Sequence, residues 1–312
     1  MPVILSILPA LLLTFQGAGY KLYAQKGKLK PNEGLLNVFT FAVCILFALP
    51  VALQTKWDWL SVAYGCVHGV FLSATLFFYN KAMSVGKVAF NNFVVALSMV
   101  IPLAFSAIFL QEQIKPIQWA GLVVFAVAAY VVCFGQKTDG GQKTSPIAYV
   151  YAGLAALCNG IVGALTKLFA NVHPNIQQLQ YLEGAFVVGL VVMIVMAVVA
   201  PKTDAFSAYL QDKWFIICAV IVSVATALGN IAFVLCSSVV EAPIFFPVQN
   251  GANMIFGAIA ALFFKEKLSA KTAVGIAVGV VAALLLNCSK ISKNLCKNSL
   301  LFLRLMLNYF SI

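Results

Sequence analysis

The sequence is poor in charge. Only 9% of its 312 residues are Asp, Glu, Lys or Arg, whereas about 25% is usual for soluble globular proteins. Hydrophobic residues make up 62%, and the mean hydropathy is +0.99. This composition excludes a soluble globular domain and predicts an integral membrane protein.

Motifs that carry chemistry are also scarce. The chain has no HExxH, no GxSxG and no paired aspartates inside an apolar run, which disfavours an intramembrane enzyme. Its eight cysteines form no CxxC pattern, so no redox or metal site is indicated. A repeated filter-like loop, as expected of a channel, is missing too. We therefore predict a protein that is not an enzyme and has no metal or cofactor.

A basic domain for nucleic acid is missing as well. The net charge of +11 comes from short connections and chain ends, which is typical of anchoring at the lipid interface. The longest polar connections are too short to fold alone; they cover residues 20–34, 135–146 and 201–213. We expect the bilayer and a small-molecule metabolite as partners, no nucleic acid, and a monomer or homodimer. The expected location is the cell (inner) membrane, with multiple passes.

Long apolar runs are abundant instead. Ten of them have about the 17 to 25 residues that a membrane-spanning helix needs, and barrel strands would be shorter and alternating. The first run lacks a positive segment before it, so we interpret it as a helix rather than a cleaved signal. The ten spans lie near residues 3–20, 35–53, 59–79, 88–110, 117–135, 147–170, 178–200, 214–236, 242–264 and 272–288.

The chain contains an internal duplication. Residues 84–129 match residues 238–283 without a gap, at an offset of 154. In both copies a Glu, either Glu112 or Glu266, lies in the turn between two apolar runs. A weaker match pairs the segment that begins at Lys21 with the one that begins at Lys167.

The duplication predicts two halves of five spans each. Because five is odd, the second half must start on the opposite side of the bilayer, which gives inverted repeats with the binding site near the midplane. The predicted fold is thus an all-α integral membrane protein with ten transmembrane helices in two inverted five-helix repeats. Its predicted parts are 1–135, an inter-repeat loop at 136–146, 147–288, and a C-terminal tail at 289–312.

These motifs resemble a known family. Residues 78–82, Pro102, the turn at 110–114 and Gly121 are similar to the EamA-type repeat of the drug/metabolite transporter superfamily. The second copy resembles that repeat through Ala242-Pro243, residues 264–269 and Gly275. The resemblance implies a ten-helix secondary transporter that moves small metabolites by alternating access, often as an exporter.

We therefore expect a transporter for a small polar metabolite, such as an amino acid or a related compound, with export as the favoured direction. An importer of sugars or nucleosides is the main alternative, and a receptor or scaffold would leave the duplication unused. The family pattern places both termini in the cytoplasm, whereas the positive-inside rule prefers the Lys-rich loops near Lys26 and Lys265 there. We follow the family pattern.

The ninth span holds the densest polar cluster. Gln249, Asn250 and Asn253 lie in its first half, beside Pro247, whose ring removes a backbone donor. Amides both donate and accept hydrogen bonds, so they suit an uncharged or zwitterionic metabolite. Alternatively, they tie helices together. Single amides lie on three further spans: Gln16, Asn159 and Asn230.

Four other residues are candidates for substrate binding. Asn91 and Asn92 occupy the matching span of the first copy, with helix capping as the alternative. His68 could relay protons, because the ordinary pKa of histidine lies near the working pH. A buried histidine is more commonly a hydrogen-bonded packing residue. Tyr79 is either a stacking wall or an interfacial aromatic.

A few charged residues lie inside the predicted spans or at their ends, and they are candidates for an ion pair or a gate. Lys167 and Glu183 lie inside predicted spans near the same membrane side, as a structural pair or interfacial anchors, or as a gate. Glu241 begins the ninth span and is a further candidate for a gate or ion pair. Glu112 and Glu266 are assigned a structural role, in which each carboxylate caps the next helix.

Overall fold

The computed structural model describes residues 6–29, 32–112, 146–172, 177–199 and 206–266, with short helical pieces between 116 and 128 and between 273 and 279. Within these parts every regular element is helical. The predicted spans at 117–135 and 272–288 lie largely outside the described residues. The tail at 289–312 and all but the last residue of the loop at 136–146 lie outside them entirely.

The helices are α1 (Ile7–Lys26), α2 (Glu33–Ala52), α3 (Trp59–Val85), α4 (Val88–Ala96), α5 (Val100–Phe109), α6 (Pro146–Val172), α7 (Gln178–Val199), α8 (Phe206–Gln211), α9 (Lys213–Val239) and α10 (Ala242–Phe263). A 3₁₀ turn, Leu97–Met99, joins α4 to α5. The two therefore continue as one rod, which we call α4–α5.

Among the described residues, seven helices are long and apolar enough to cross a membrane: α2, α3, the rod α4–α5, α6, α7, α9 and α10. Large apolar side chains on them point outward, and Leu46, Val198 and Phe263 are each at least 70% exposed. Such exposure is unfavourable in water and natural in lipid. The prediction of an all-α membrane protein is confirmed, while ten spans in two inverted repeats stays a prediction.

Short polar side chains begin several helices. Asn32 accepts a hydrogen bond from the Leu35 amide at the start of α2, and Asp58 accepts from the Leu60 amide at the start of α3. Asp212 does the same for α9. Each cap satisfies a backbone donor that has no partner inside its own helix, which fixes where the helix begins.

Glycines allow close packing between the two halves. α3 packs extensively on α7, and a Cβ added at Gly65 of α3 would overlap the carbonyl oxygen of Tyr181 on α7. A Cβ at Gly184 of α7 would likewise overlap the carbonyl oxygen of Val62. Since lipid offers no hydrophobic drive for helix association, this backbone-to-backbone approach stabilises the bundle by van der Waals contact.

Helices from both halves surround the centre of the bundle. α10 packs on α1 and on α4, while α3 packs on α6 as well as on α7. α9 lies against α1 and α2. Elements that are far apart in the chain therefore interlock, and the space between them is lined by both halves.

Candidate functional site

A central cavity lies between the two halves. The cavity has a volume of about 680 Å³, which includes the space at its opening. This is room for several waters or for one small molecule. The cavity is lined by Leu13, Gln16, Leu72, Thr75, Leu76, Tyr79, Val95, Asn159, Val162, Asn230, Phe233, Gln249, Asn250 and Asn253.

The three amides predicted on the ninth span all line this cavity. They lie near the middle of α10, which places the cavity about halfway along the helix. Asn250 donates through Nδ2 to the Phe246 carbonyl oxygen at 2.9 Å, and the hydroxyl of Thr14 on α1 donates to Oδ1 of Asn253 at 3.1 Å. Gln249 has no hydrogen bond with any residue that the structure describes, so its amide is available to a ligand.

Three further amides complete the polar wall. Asn159 donates through Nδ2 to the Ser98 hydroxyl at 2.7 Å, and Asn230 donates through Nδ2 to the Thr226 carbonyl oxygen at 2.9 Å. Their oxygens are left to accept. Gln16 is buried, and its Nε2 has no partner in the described part of the chain. Sequence reasoning ranked these three as isolated amides because they stand on three different helices, and only the fold brings them together.

The chemistry of the cavity follows from its lining. Six amides, one hydroxyl and one phenol face a pocket whose other described walls are Leu, Val and Phe, and no charged side chain is among them. Donors without a partner among the described residues, such as Nε2 of Gln16, can bind ligand groups that accept hydrogen bonds, and spare amide oxygens can bind ligand groups that donate them. A net charge on a ligand would find no counter-ion among the described lining residues, whereas the two charges of a zwitterion compensate each other, so a neutral or zwitterionic molecule with a small apolar part fits best.

Tyr79 contributes a phenol to the cavity wall. Its hydroxyl donates to Oδ1 of Asn92 at 2.5 Å. A Cβ at Gly17 would meet the same phenol, so α1 can pass close to Tyr79 only because residue 17 is glycine. Tyr79 is therefore a wall of the cavity at the contact of α1, α3 and α4.

Asn91 and Asn92, by contrast, do not line the cavity. Asn91 donates through Nδ2 to the Ala82 carbonyl oxygen at 2.7 Å and holds α4 against the end of α3. Asn92 supports Tyr79 and lies against Gly257 of α10. Both are fully buried between helices. They act as helix ties, and Asn92 reaches the cavity only through Tyr79.

His68 is also outside the cavity. Its Nδ1 shares a hydrogen bond of 2.5 Å with the hydroxyl of Tyr181 on α7, and the two rings pack edge to face. Nε2 of His68 has no partner among the described residues. This geometry matches a buried packing residue between α3 and α7 and gives it no path to the cavity wall.

Lys167 and Glu183 do not pair, whereas Lys167 and Glu241 interact electrostatically. Lys167 is 4% exposed, and its ammonium donates to the Val240 carbonyl oxygen at 2.5 Å. Glu183 is equally buried, and its Oε1 has no hydrogen-bond partner among the residues that the structure describes. No ion pair joins these two residues, both of which the structure describes. Glu241 directly precedes α10 without capping it and lies in the electrostatic field of Lys167.

Known proteins resemble the chain in two ways. Residues 1–134 match the EamA-like transporter family, which confirms the resemblance drawn from the motifs for that part of the chain. A solved crystal structure whose title names no activity is similar over 96% of this chain and 97% of its own, with a TM-score of 0.60 and 16% sequence identity. At this identity the likeness concerns the fold alone. No curated protein sequence matches the chain.

Proposed function

We propose that this multi-pass membrane protein, whose residues 1–134 match the EamA-like transporter family, is a secondary transporter for a small neutral or zwitterionic metabolite. The observation that carries the proposal is the cavity near the middle of the helices, walled by amides from both halves and free of charged side chains among its described residues. An amino acid or a related compound fits this chemistry.

The cavity geometry supports alternating access. Its wall comes from α1, α3 and α4 on one side and from α6, α9 and α10 on the other, so a rocking of one half against the other changes the side from which it is reached. Substrate amide, carboxylate or ammonium groups would replace water on Gln16, Gln249 and Asn250. The apolar side chains beside them would cover the rest of the molecule.

Export across the cell membrane is the direction we propose, from the resemblance to the family. The rival is an importer of sugars or nucleosides. Hydroxyl-rich compounds also suit a wall of amides, so the chemistry of the cavity admits both classes. The direction of net movement therefore has to be measured together with the substrate.

The test is an untargeted comparison of metabolites inside cells and in the medium. Strains express the native chain or the Gln249→Ala/Asn250→Ala variant at matched levels in the membrane. We expect at least one small polar compound to shift between the compartments only with the native chain. Accumulation in the medium would support export, and accumulation in the cells would support the importer.

A matched control separates binding from folding. Asn171 is an exposed amide near the end of α6 that bonds within its own helix, so Asn171→Ala removes the same chemistry away from the cavity. We expect this control to transport normally. Equal metabolite levels with the native chain and the double variant, across amino acids, sugars and nucleosides, would reject the transporter proposal and favour a receptor or scaffold.

A further inference from the structure

The rod α4–α5 and α10 are joined at one end by a cluster that we call the first clamp. It consists of Lys21, Gly86, Val88 and Glu266. The carboxylate of Glu266, just after α10 ends, accepts from the Val88 amide at 2.9 Å and 3.2 Å, and Val88 is the first residue of α4. Lys21 donates to the Gly86 carbonyl oxygen at 2.6 Å and lies 3.4 Å from Oε1 of Glu266.

The same arrangement recurs at the other end of α10, and we call it the second clamp. It consists of Lys167, Val240, Ala242 and Glu112. The carboxylate of Glu112, just after the rod ends, accepts at 3.2 Å from the amide of Ala242, the first residue of α10. Lys167 donates to the Val240 carbonyl oxygen at 2.5 Å. At 22 residues, α10 is about 33 Å long, so the two clamps lie near opposite membrane surfaces.

Three of the four residues in each clamp correspond at a single offset, and the lysines belong to the weaker match of the segments that begin at Lys21 and Lys167. The offset of 154 that relates the duplicated segments takes Gly86 to Val240, Val88 to Ala242 and Glu112 to Glu266. The residue before each glutamate has a positive φ, 53° at Gln111 and 55° at Lys265. This left-handed residue ends the helix and turns the following carboxylate toward the neighbouring helix.

The glutamates cap helices of the opposite half. Sequence reasoning expected each carboxylate to cap the next helix along the chain. The start of that next helix lies outside the described residues in both halves. Within the described residues, Glu112 of the first half holds the start of α10, and Glu266 of the second half holds the start of α4. In each clamp the lysine and the capped turn come from one half, and only the glutamate crosses over. The two carboxylates are therefore ties between the halves.

We propose that Glu266 and Glu112 are the closing ties of two gates, one at each membrane surface, that release in turn during transport. This deepens the proposed function and rests on it. A rocking motion that separates the halves at one surface must break the tie there and can keep the other. Both ties are formed in this structure, so the two halves are held together at both ends of α10.

The test measures access to the cavity from each side. A reporter cysteine replaces Val95, which lines the cavity, in a chain whose eight native cysteines have been replaced. A membrane-impermeant maleimide is applied to intact cells and to inverted vesicles. Glu266→Gln is expected to raise the labelling rate from one side by about tenfold, which corresponds to the loss of one charge-assisted hydrogen bond. Glu112→Gln is expected to do the same from the opposite side.

The control is Glu33→Gln. Glu33 is the first residue of α2 and belongs to neither clamp, so its labelling rate should equal that of the parent from both sides. Glu266→Asp and Glu112→Asp keep the charge but shorten the side chain by one methylene. They should act on the same sides as the Gln variants, with smaller increases, and they provide a readout if a Gln variant fails to reach the membrane.

Unchanged labelling in both Gln variants, or an increase from the same side in both, would overturn the proposal. The reporter requires no substrate, so the gates are tested independently of the cargo. If the two Gln variants raise labelling from opposite sides but no metabolite moves, the gates are supported and the proposed metabolite transport is rejected. Metabolite movement with unchanged labelling would reject the gates alone.

Discussion

The two halves of the duplication make matching contacts at the ends of the molecule but carry different residues in its middle. At the ends, matching residues of the two halves make matching contacts, as Val88 and Ala242 do by donating to the glutamate of the other half. In the middle, the offset of 154 pairs Val95 with Gln249 and Ala96 with Asn250. The cavity is therefore polar along α10 and apolar along α4.

In the proposed mechanism, the similar ends control the movement of the halves, and the dissimilar middle recognises the substrate. Two gates that alternate need similar strengths, since a much stronger tie on one side would hold the protein in one state. A binding site has no such requirement, because one ligand of low symmetry contacts both halves at once. Similar ends and dissimilar walls are what these two demands would produce in one duplicated chain.

The largest effect on transport is expected when the polar residues of α10 in the cavity are replaced by the residue types found at the matching positions of α4. Gln249→Val/Asn250→Ala gives α10 the residue types that α4 carries at the matching positions. We expect transport to fall about a hundredfold, because two hydrogen-bonding groups leave the cavity. The uptake or efflux rate of the identified metabolite measures this, with Asn171→Ala as the control. Unchanged transport in a well-folded variant would place recognition outside α10.

The second test compares the lysines of the two clamps. Lys21 is 13% exposed and pairs with Glu266, whereas Lys167 is more deeply buried and has no matching ion pair with Glu112 among the described contacts. Lys21→Met removes the positive partner of a half-buried carboxylate, so we expect roughly a tenfold loss of transport. Lys167→Met removes one hydrogen bond and a positive charge that interacts with Glu112 and Glu241 without a close ion pair to Glu112, so we expect a smaller loss of transport, about threefold. Equal losses would mean that the ion pair adds nothing to the first clamp.

A smaller effect is expected at the left-handed residues. Gln111 and Lys265 have positive φ values that glycine adopts more easily. We expect Gln111→Gly and Lys265→Gly each to raise the free energy of unfolding by about 1 kcal/mol or less. Thermal unfolding in detergent checks this. A clear loss of stability in either variant would show that its side chain holds the turn by a contact.

The smallest effect concerns Lys167 and Glu183. Because no ion pair joins them, the changes in unfolding free energy caused by Lys167→Gln and Glu183→Gln should add within about 0.5 kcal/mol. A double-mutant cycle on unfolding in detergent measures the coupling. A double variant that is clearly more stable than the sum of the single variants would demonstrate direct pairing.

Part of the site was predictable from the sequence. The cluster at Gln249, Asn250 and Asn253 is visible because three amides crowd one turn of an apolar span. Asn91 and Asn92 have the same residue type in the matching span, yet they bond to neighbouring helices. In helices that are apolar all round, periodicity does not indicate which face meets a cavity. Amide chemistry alone therefore cannot separate a substrate contact from a helix tie.

The clamps show a different limit. The duplication predicts that Glu112 and Glu266 have equivalent surroundings, and the structure agrees. Which helix start each carboxylate reaches depends on how the halves pack, and a sequence records only neighbours along the chain. The cap expected on the next helix along the chain falls outside the described residues, and the packing of α10 on the rod α4–α5 brings each carboxylate to a helix start of the other half.

The uncharged wall of the cavity has an electrical consequence. A membrane potential acts on charge that moves through the bilayer, with about 2.3 kcal/mol for each elementary charge per 100 mV. Since Gln16, Asn230 and Gln249 carry none, the alternating access that we propose would let the empty cavity change its facing side without moving wall charge across the field. Transport of a zwitterionic substrate would then move no net charge across the membrane. Any current recorded during transport would indicate a net charge on the substrate or on a co-transported ion.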